Sequence, residues 1–503
     1  MKRPEMKRPE KKRPEHSSDD TDPVVASTHT STVCSPPDAR PSSPLSRRSF
    51  LAAMGAVGAG VAGVGFTSLA GPTITRAAQA TGSRSLVCVF LAGGADSFNM
   101  VVPLDHDVAG QTHDAYSATR GSFAVPAGQL IGIGEGSFGL HPGLAGLADL
   151  SASGRLATVM NVGPLERPIT AADYTAQRSL PQSLFAHDAQ QKLWQTGRSR
   201  LASDAGWGGS IETALSADAD LAPAFSINGS NTWQAGPTAR YTRLSPTVRV
   251  ARMLGHDESL RAWIPTSEGV ASVLADSLAA AQASSSRIDQ TIASTISDSI
   301  DATEQLQEAT AASDANDVGM DDAAGTKLGS QLRMVARLIK NREMLGMPRQ
   351  VFFVRMGGWD THRVQQQIFP RLIGELDGAL ASFHVALDDL GVSESVTTFT
   401  ASDFGRTLTA NGDGTDHGWG GHAFVMGGAV RGGRYGEVPS YATDRNPDDV
   451  GSRSGDFAGR LVPTTSVSQY GATLAGWMGL TATQIDDAFP DLANFAERDL
   501  GFL

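Results

Sequence analysis

Apolar positions along this chain follow two alternating rhythms. Short, predominantly apolar runs at residues 86–92, 156–161, 351–356 and 396–401, with a lesser one at 224–227, have the length and composition of strands buried on both faces. Between them the spacing becomes helical. Leu144, Leu147 and Leu150 mark a helix over 142–152 that Gly154 closes, and residues 188–196 form a short helix ending at Gly197. The longest pattern, Ile368, Leu372, Leu376, Leu380, Phe383 and Leu387, predicts a helix over 365–390, with Pro370 in its first turn or at a kink. Strand, helix and strand in turn predict an α/β fold, a doubly wound, mostly parallel sheet with helices on both faces. A polar insertion at 105–139 interrupts the first crossover. Residues 257–342 are Ala/Ser/Asp-rich and helical in pattern, with a break at 311–325, and read as a helical insertion or cap.

The first eighty residues follow neither rhythm. Residues 1–15 repeat Lys-Arg-Pro-Glu three times, and the leader as a whole, 1–45, offers no apolar face to bury and is expected to be disordered. Ser46-Arg47-Arg48-Ser49-Phe50-Leu51 then precedes a small-residue apolar stretch over 52–70, too rich in Gly and Ala for a stable membrane anchor. Paired arginines before a mild apolar region predict a twin-arginine export signal over 46–80, with a cleavage site at Ala78-Gln79-Ala80. The domain at 81–503 is then periplasmic or secreted, with the twin-arginine translocase as its export partner. Of the two cysteines, Cys34 lies in the leader and Cys88 within an apolar run, so no disulfide framework is available and Cys88 reads as core. The chain carries 41 Lys and Arg against 53 Asp and Glu, and its leader is on the basic side of that balance. Nucleic acid is excluded as a partner for want of a basic footprint.

The chemistry concentrates where the strands stop. Residues 86–92 run into Gly93-Gly94-Ala95-Asp96, 351–356 into Gly357-Gly358-Trp359-Asp360-Thr361-His362, and 396–401 into Ser402-Asp403-Phe404-Gly405-Arg406. A fourth run, 424–426, is preceded by Asp416-His417 and His422. Ligands of open α/β sheets gather outside the carboxyl ends of strands, so these groups suggest one shared site. Oxygen and imidazole together suit one or two divalent ions, Zn or Mn, with Asp96, Asp360, His362, Asp403, His417 and His422 as candidate ligands. Ser97 is the candidate nucleophile, and Arg406 could clamp an anion. Each has a plainer reading: Asp360 as a helix cap, Asp403 with Arg406 as an ordinary ion pair, His422 as a supporting group. His187, at the start of its helix, and His141 read as structural, and Trp194, Trp207 and Trp233 as core or pocket walls.

At these motifs the chain resembles the DUF1501 family, exported twin-arginine proteins placed in the alkaline-phosphatase-like superfamily. The likeness spans nearly all of residues 81–503. It implies an alkaline-phosphatase-like sheet with divalent metal at the strand ends and hydrolysis of a small anionic phosphate or sulfate ester. In that resemblance Asp96 is the ligand after the first strand, Asp360 and His362 the central pair, Asp403 the acid of the next strand end and His417 the late histidine. Three positions depart from the superfamily: Asp360 and His362 stand closer together than its central pair, its Asp-His dipeptide is Asp403-Phe404 here, and Ala186 precedes His187 where relatives have Ser. The alternative expectation is a non-catalytic exported protein that keeps the fold for binding, assembly or surface attachment.

Overall fold

The computed structural model describes residues 82–503, apart from 105–109, 135, 202, 216–222, 240, 247–275, 312–316, 443–445 and 452–457. The leader, the export signal and its cleavage site lie outside the described residues, as do the first residues of the expected insertion, 257–275.

Fourteen strands are found among the described residues. In chain order they are β1 Arg84–Ala92, β2 Val101–Pro103, β3 Ile131–Ile133, β4 Phe138–Leu140, β5 Leu156–Gly163, β6 Ala224–Ser226, β7 Thr242–Arg243 and β8 Arg349–Gly357. There follow β9 Val396–Ser402, β10 Arg406–Ala410, β11 Thr415–His417, β12 Gly421–Met426, β13 Gly433–Tyr435 and β14 Thr465–Ser466. Nine of them form one sheet in the order β13-β5-β12-β9-β1-β8-β6-β7, with β14 also paired to β5. Its pairings are parallel except those of β12, which runs against both β5 and β9.

The central strand shows why the sheet needs two covers. Val87, Val89 and Leu91 of β1 point into a core shared with the helices Ala145–Ala152, Lys327–Lys340 and Gln365–Asp389. Leu86, Cys88, Phe90 and Ala92 point the other way, to Trp194, Trp207 and the helix Val467–Met478. Both sets are buried, so the run reads as continuously apolar, as a strand sandwiched between two helical layers must. Cys88 is free and buried, in keeping with a core role.

The stretch expected to be a helical insertion divides. The helix Arg287–Thr310 has exposed Ile288 and Ile292, whereas Lys327–Lys340 buries Leu328, Leu332, Val335 and Ile339 against the sheet. The latter helix belongs to the covering layer. The polar insertion holds β3, most of β4 and the helix His113–Arg120, and β2 just before it completes a three-stranded sheet in the order β2-β4-β3. None of the helices among the described residues is long and apolar enough to cross a membrane.

Candidate metal centre

The ends of β1, β8 and β9 lie side by side, because β1 pairs in register with both neighbours. Gly93 and Gly94 let the loops beyond them close. At φ +120°, Gly93 has no room for a side chain: a Cβ would stand 2.4 Å from the Asp360 amide nitrogen. At φ +83°, Gly94 leaves the space that the Phe404 ring fills, 2.4 Å from where its Cβ would be. Asp360 is thereby seated over the end of β1. The turn that carries it ends at Val364, φ 49°, a left-handed conformation costly for a β-branched residue and held by the structure around it.

Three imidazoles surround the Asp360 carboxylate. His417 comes from β11, which the hairpin with β10 places opposite Arg406. His362 follows Asp360 on the same turn. His187 opens the helix His187–Thr196. Each turns its Nδ1 to an oxygen that can only accept: His187 to Asp403 Oδ2 at 2.6 Å, His362 to Asp416 Oδ1 at 3.0 Å, His417 to the Phe185 carbonyl at 2.7 Å. The Nδ1 hydrogens are therefore committed, and in the neutral rings the Nε2 lone pairs face inward.

Those lone pairs converge. His187 Nε2 lies 3.4 Å from Asp360 Oδ2, His417 Nε2 3.3 Å and His362 Nε2 3.1 Å from Asp360 Oδ1. His362 Nε2 and His417 Nε2 are 2.8 Å apart. Acceptors so close repel unless a proton or a cation stands among them. His187 Nε2 is buried with no hydrogen-bond partner, and the ligand atoms of His187, Asp360 and His417 lie within 4.8 Å of one another. Ligands tetrahedrally disposed at 2.0–2.1 Å from an ion stand about 3.3 Å apart, so the donor set fits a divalent metal held by imidazole and carboxylate.

The surroundings reinforce that orientation. Asp403 is fully buried, accepting from the Gly93 amide at 3.1 Å and from Gln191 Nε2 at 2.9 Å while it steers His187. Phe404 packs its ring 4.5 Å from His417 and 4.9 Å from His187, centroid to centroid. Burial works to raise the pKa of Asp360, but the hydrogen bond and charge of Arg406, with His362 and His187, hold it below the ordinary carboxylate value. Burial, aided by the charges of His187, Arg406 and His362, lowers that of His417 despite its bond to Phe185, which favours the neutral ligand form.

Residues 83–487 match the family described as "Protein of unknown function (DUF1501)". The chain belongs to the DUF1501 family. No curated protein matches this DUF1501 protein. Among solved structures it is similar to the C-terminal periplasmic domain of EcEptC from Escherichia coli, in complex with Zn, at 10% identity and a TM-score of 0.35, over 80% of this chain and 84% of that one. It is also similar to the lipoteichoic acid synthase LtaP from Listeria monocytogenes, at 8% identity and a TM-score of 0.29, over 76% of each chain.

Several sequence expectations are redistributed by the geometry. Asp360, His362 and His417 meet, and Asp403 stands behind His187. Asp96, expected as a ligand, is buried and spends Oδ2 on Arg120 and on Gln365 Nε2, so it serves the interior of the DUF1501 protein. His422 likewise points inward: its Nδ1 accepts from the Asn161 amide at 3.1 Å and its Nε2 meets the Tyr441 hydroxyl at 3.0 Å. Ser97 is buried and its Oγ accepts from the His422 amide at 2.7 Å, tying it to β12. Arg406 is fully buried and bonded to Asp360 Oδ1 (2.7 Å), Gly93 O (3.3 Å), Thr415 Oγ1 (3.2 Å) and Thr415 O. It positions Asp360 and has little left for an external anion. His187, read from sequence as structural, is central instead. Its signal was present in the resemblance, where a histidine at this helix start recurs. Asp416 accepts from His362, and nothing in the sequence distinguishes that supporting role from its place beside His417.

Proposed function

We propose that this chain is an exported metal-dependent hydrolase of phosphate or sulfate esters. The observation that supports the reading is the convergence of three imidazole Nε2 edges on one carboxylate, each ring held from behind by an oxygen acceptor. Such backing by carboxylate or carbonyl is what metal-ligating histidines require. His187, His417 and Asp360 would hold the ion, Zn or Mn by donor type, and His362 stands beside it as the third imidazole. A bound divalent ion supplies Lewis-acid polarisation of an ester oxygen.

The chain's own groups do the rest. Arg406 keeps the Asp360 carboxylate ionised and oriented, and Asp403 fixes the tautomer of His187. His362, the most exposed of the three rings, can carry a proton between Nε2 and a departing oxygen while Asp416 holds its Nδ1 hydrogen. The residues before the described region support export by the twin-arginine route to the periplasm or beyond. The burial of Ser97 and the commitment of Arg406 favour a second reading, a non-catalytic exported protein that keeps the fold for binding, assembly or surface attachment.

Metal analysis of the purified chain, joined to a screen of phosphate monoesters, diesters and sulfate esters, separates the two. Bound ion with turnover that vanishes in Asp360→Ala supports the hydrolase; bound ion without turnover supports the binding protein. A chain that takes up no ion removes the hydrolase reading.

A further inference from the structure

A second feature lies on the far side of the Asp360 turn. β6 stops at Ser226, opposite Phe353 of β8, so the last residues of β8 extend beyond their neighbour. Arg355 is left exposed there, beside a cleft of about 1190 Å³ between the end of β8 and the helices Lys327–Lys340 and Gln365–Asp389. Lys327, Arg355 and Arg371 all line it. In a chain of net charge −12, three cations on one cleft go against the overall balance.

The acid in this cleft does not neutralise them. Glu375 is largely covered, accepts from the Leu328 amide at 3.1 Å, and faces Arg371 only at 3.9 Å. Neither Lys327 nor Arg355 forms a salt bridge among the described residues. Gly374 also lines the cleft, in mid-helix, where glycine weakens a helix relative to alanine. Nothing lies within 4 Å of where its Cβ would be, so no close packing inside the protein demands the glycine. What it preserves is open space. Gly358, on the same cleft, precedes Asp360 by two residues, and an extended chain spans at most about 7 Å in that distance.

We propose that this cleft binds a further anionic group of the substrate, of the phosphate or sulfate class, so that the preferred ester carries at least two such groups: one at the imidazole centre and another between Lys327 and Arg355. The substrate assignment rests on the hydrolase reading of the centre, but occupancy of the cleft is measurable without turnover.

Tripolyphosphate serves as the probe, titrated calorimetrically into the full chain stripped of metal with a chelator. Binding is expected in the wild type, and unchanged in Arg498→Gln, an exposed cation elsewhere. It should weaken at least about tenfold in the double variant Lys327→Gln/Arg355→Gln, as loss of charged hydrogen-bond partners predicts. Gly374→Leu, which keeps the charges and fills the space, should weaken it as well. Absence of wild-type binding, or affinity unaltered in both cleft variants while thermal melts show them folded, overturns the proposal. A chain that binds tripolyphosphate in this pattern yet hydrolyses no ester keeps the cleft and loses the hydrolase reading.

Discussion

Two neighbouring groups of polar side chains, drawn from the same residue types, behave in opposite ways. One is the buried network of Asp96 with Arg120 and Gln365, and of His422 with Tyr441 and Asn161. The other is the half-exposed set of Asp360, His187, His362 and His417. In the first, donors meet acceptors: a guanidinium answers a carboxylate, and an amide hydrogen answers an imidazole lone pair. In the second, acceptors meet acceptors. The lesson is that a cluster of Asp and His points to a ligand where its lone pairs are left facing one another; where they meet donors, as Asp96 Oδ2 and the nitrogens of His422 do, the same residue types hold the fold.

The sharpest test of that contrast is to remove one member from each side. Asp360→Ala or His187→Ala should abolish stoichiometric metal while leaving the fold intact, read by elemental analysis beside circular dichroism. If either variant retains the full metal content, the two regions do not differ as described. Asp96→Ala should do the reverse. Breaking a buried ion pair by taking one partner costs about 3–5 kcal/mol, so urea denaturation should show a large loss of stability with metal binding intact in the folded fraction.

The supporting layer sharpens the contrast further. Asp403→Asn leaves the ligands in place but removes the acceptor that directs His187, and metal affinity should fall by about 10–100-fold, measured by competition with a chromophoric chelator. No change would show that His187 is oriented by its helix alone.

The buried side carries its own, smaller signature. Burial depresses the pKa of His422 to about 3 in the folded protein, whereas the unfolded chain protonates near the ordinary value of 6.5. Below pH 6.5 the unfolded state binds the extra proton, so stability is fully present above 6.5 and declines as pH falls towards 3, by at most about 1.4 kcal/mol per pH unit. Denaturation of wild type and His422→Gln at a series of pH values should show the slope reduced in the variant. Equal slopes would mean that this imidazole does not set the acid response.

How far sequence reaches into this molecule follows the same division. The runs that became β1, β8 and β9 and the helix Gln365–Asp389 were legible because a strand buried on both faces and an amphipathic helix each leave a local pattern. The hairpin of β10 and β11 and the start of β12 were not, since Gly, Asp and His there follow no apolar rhythm. At the centre, strand-end position pointed to Asp360, His362, Asp403 and His417. It pointed equally to Asp96, and nothing local reveals that Arg120, from a helix inside the polar insertion, would claim it. His187 was under-read for the mirrored reason: its importance comes from Asp403, more than two hundred residues away.

The reversed direction of β12 has an outcome for how the centre comes into being. Because β12 enters the sheet between β5 and β9 from the opposite end, His417 is delivered by the segment leading into that strand, ahead of its pairing. Closing such distant strands is the slow part of assembling a sheet of this kind. A chain that stopped before Gly421 would possess His187, Asp360, His362 and His417 in its sequence and still lack the frame that gathers them. The arrangement of donors around Asp360 therefore depends on a strand that comes after His417 in the chain, and it is anchored through β5, with which β13 and β14 also pair.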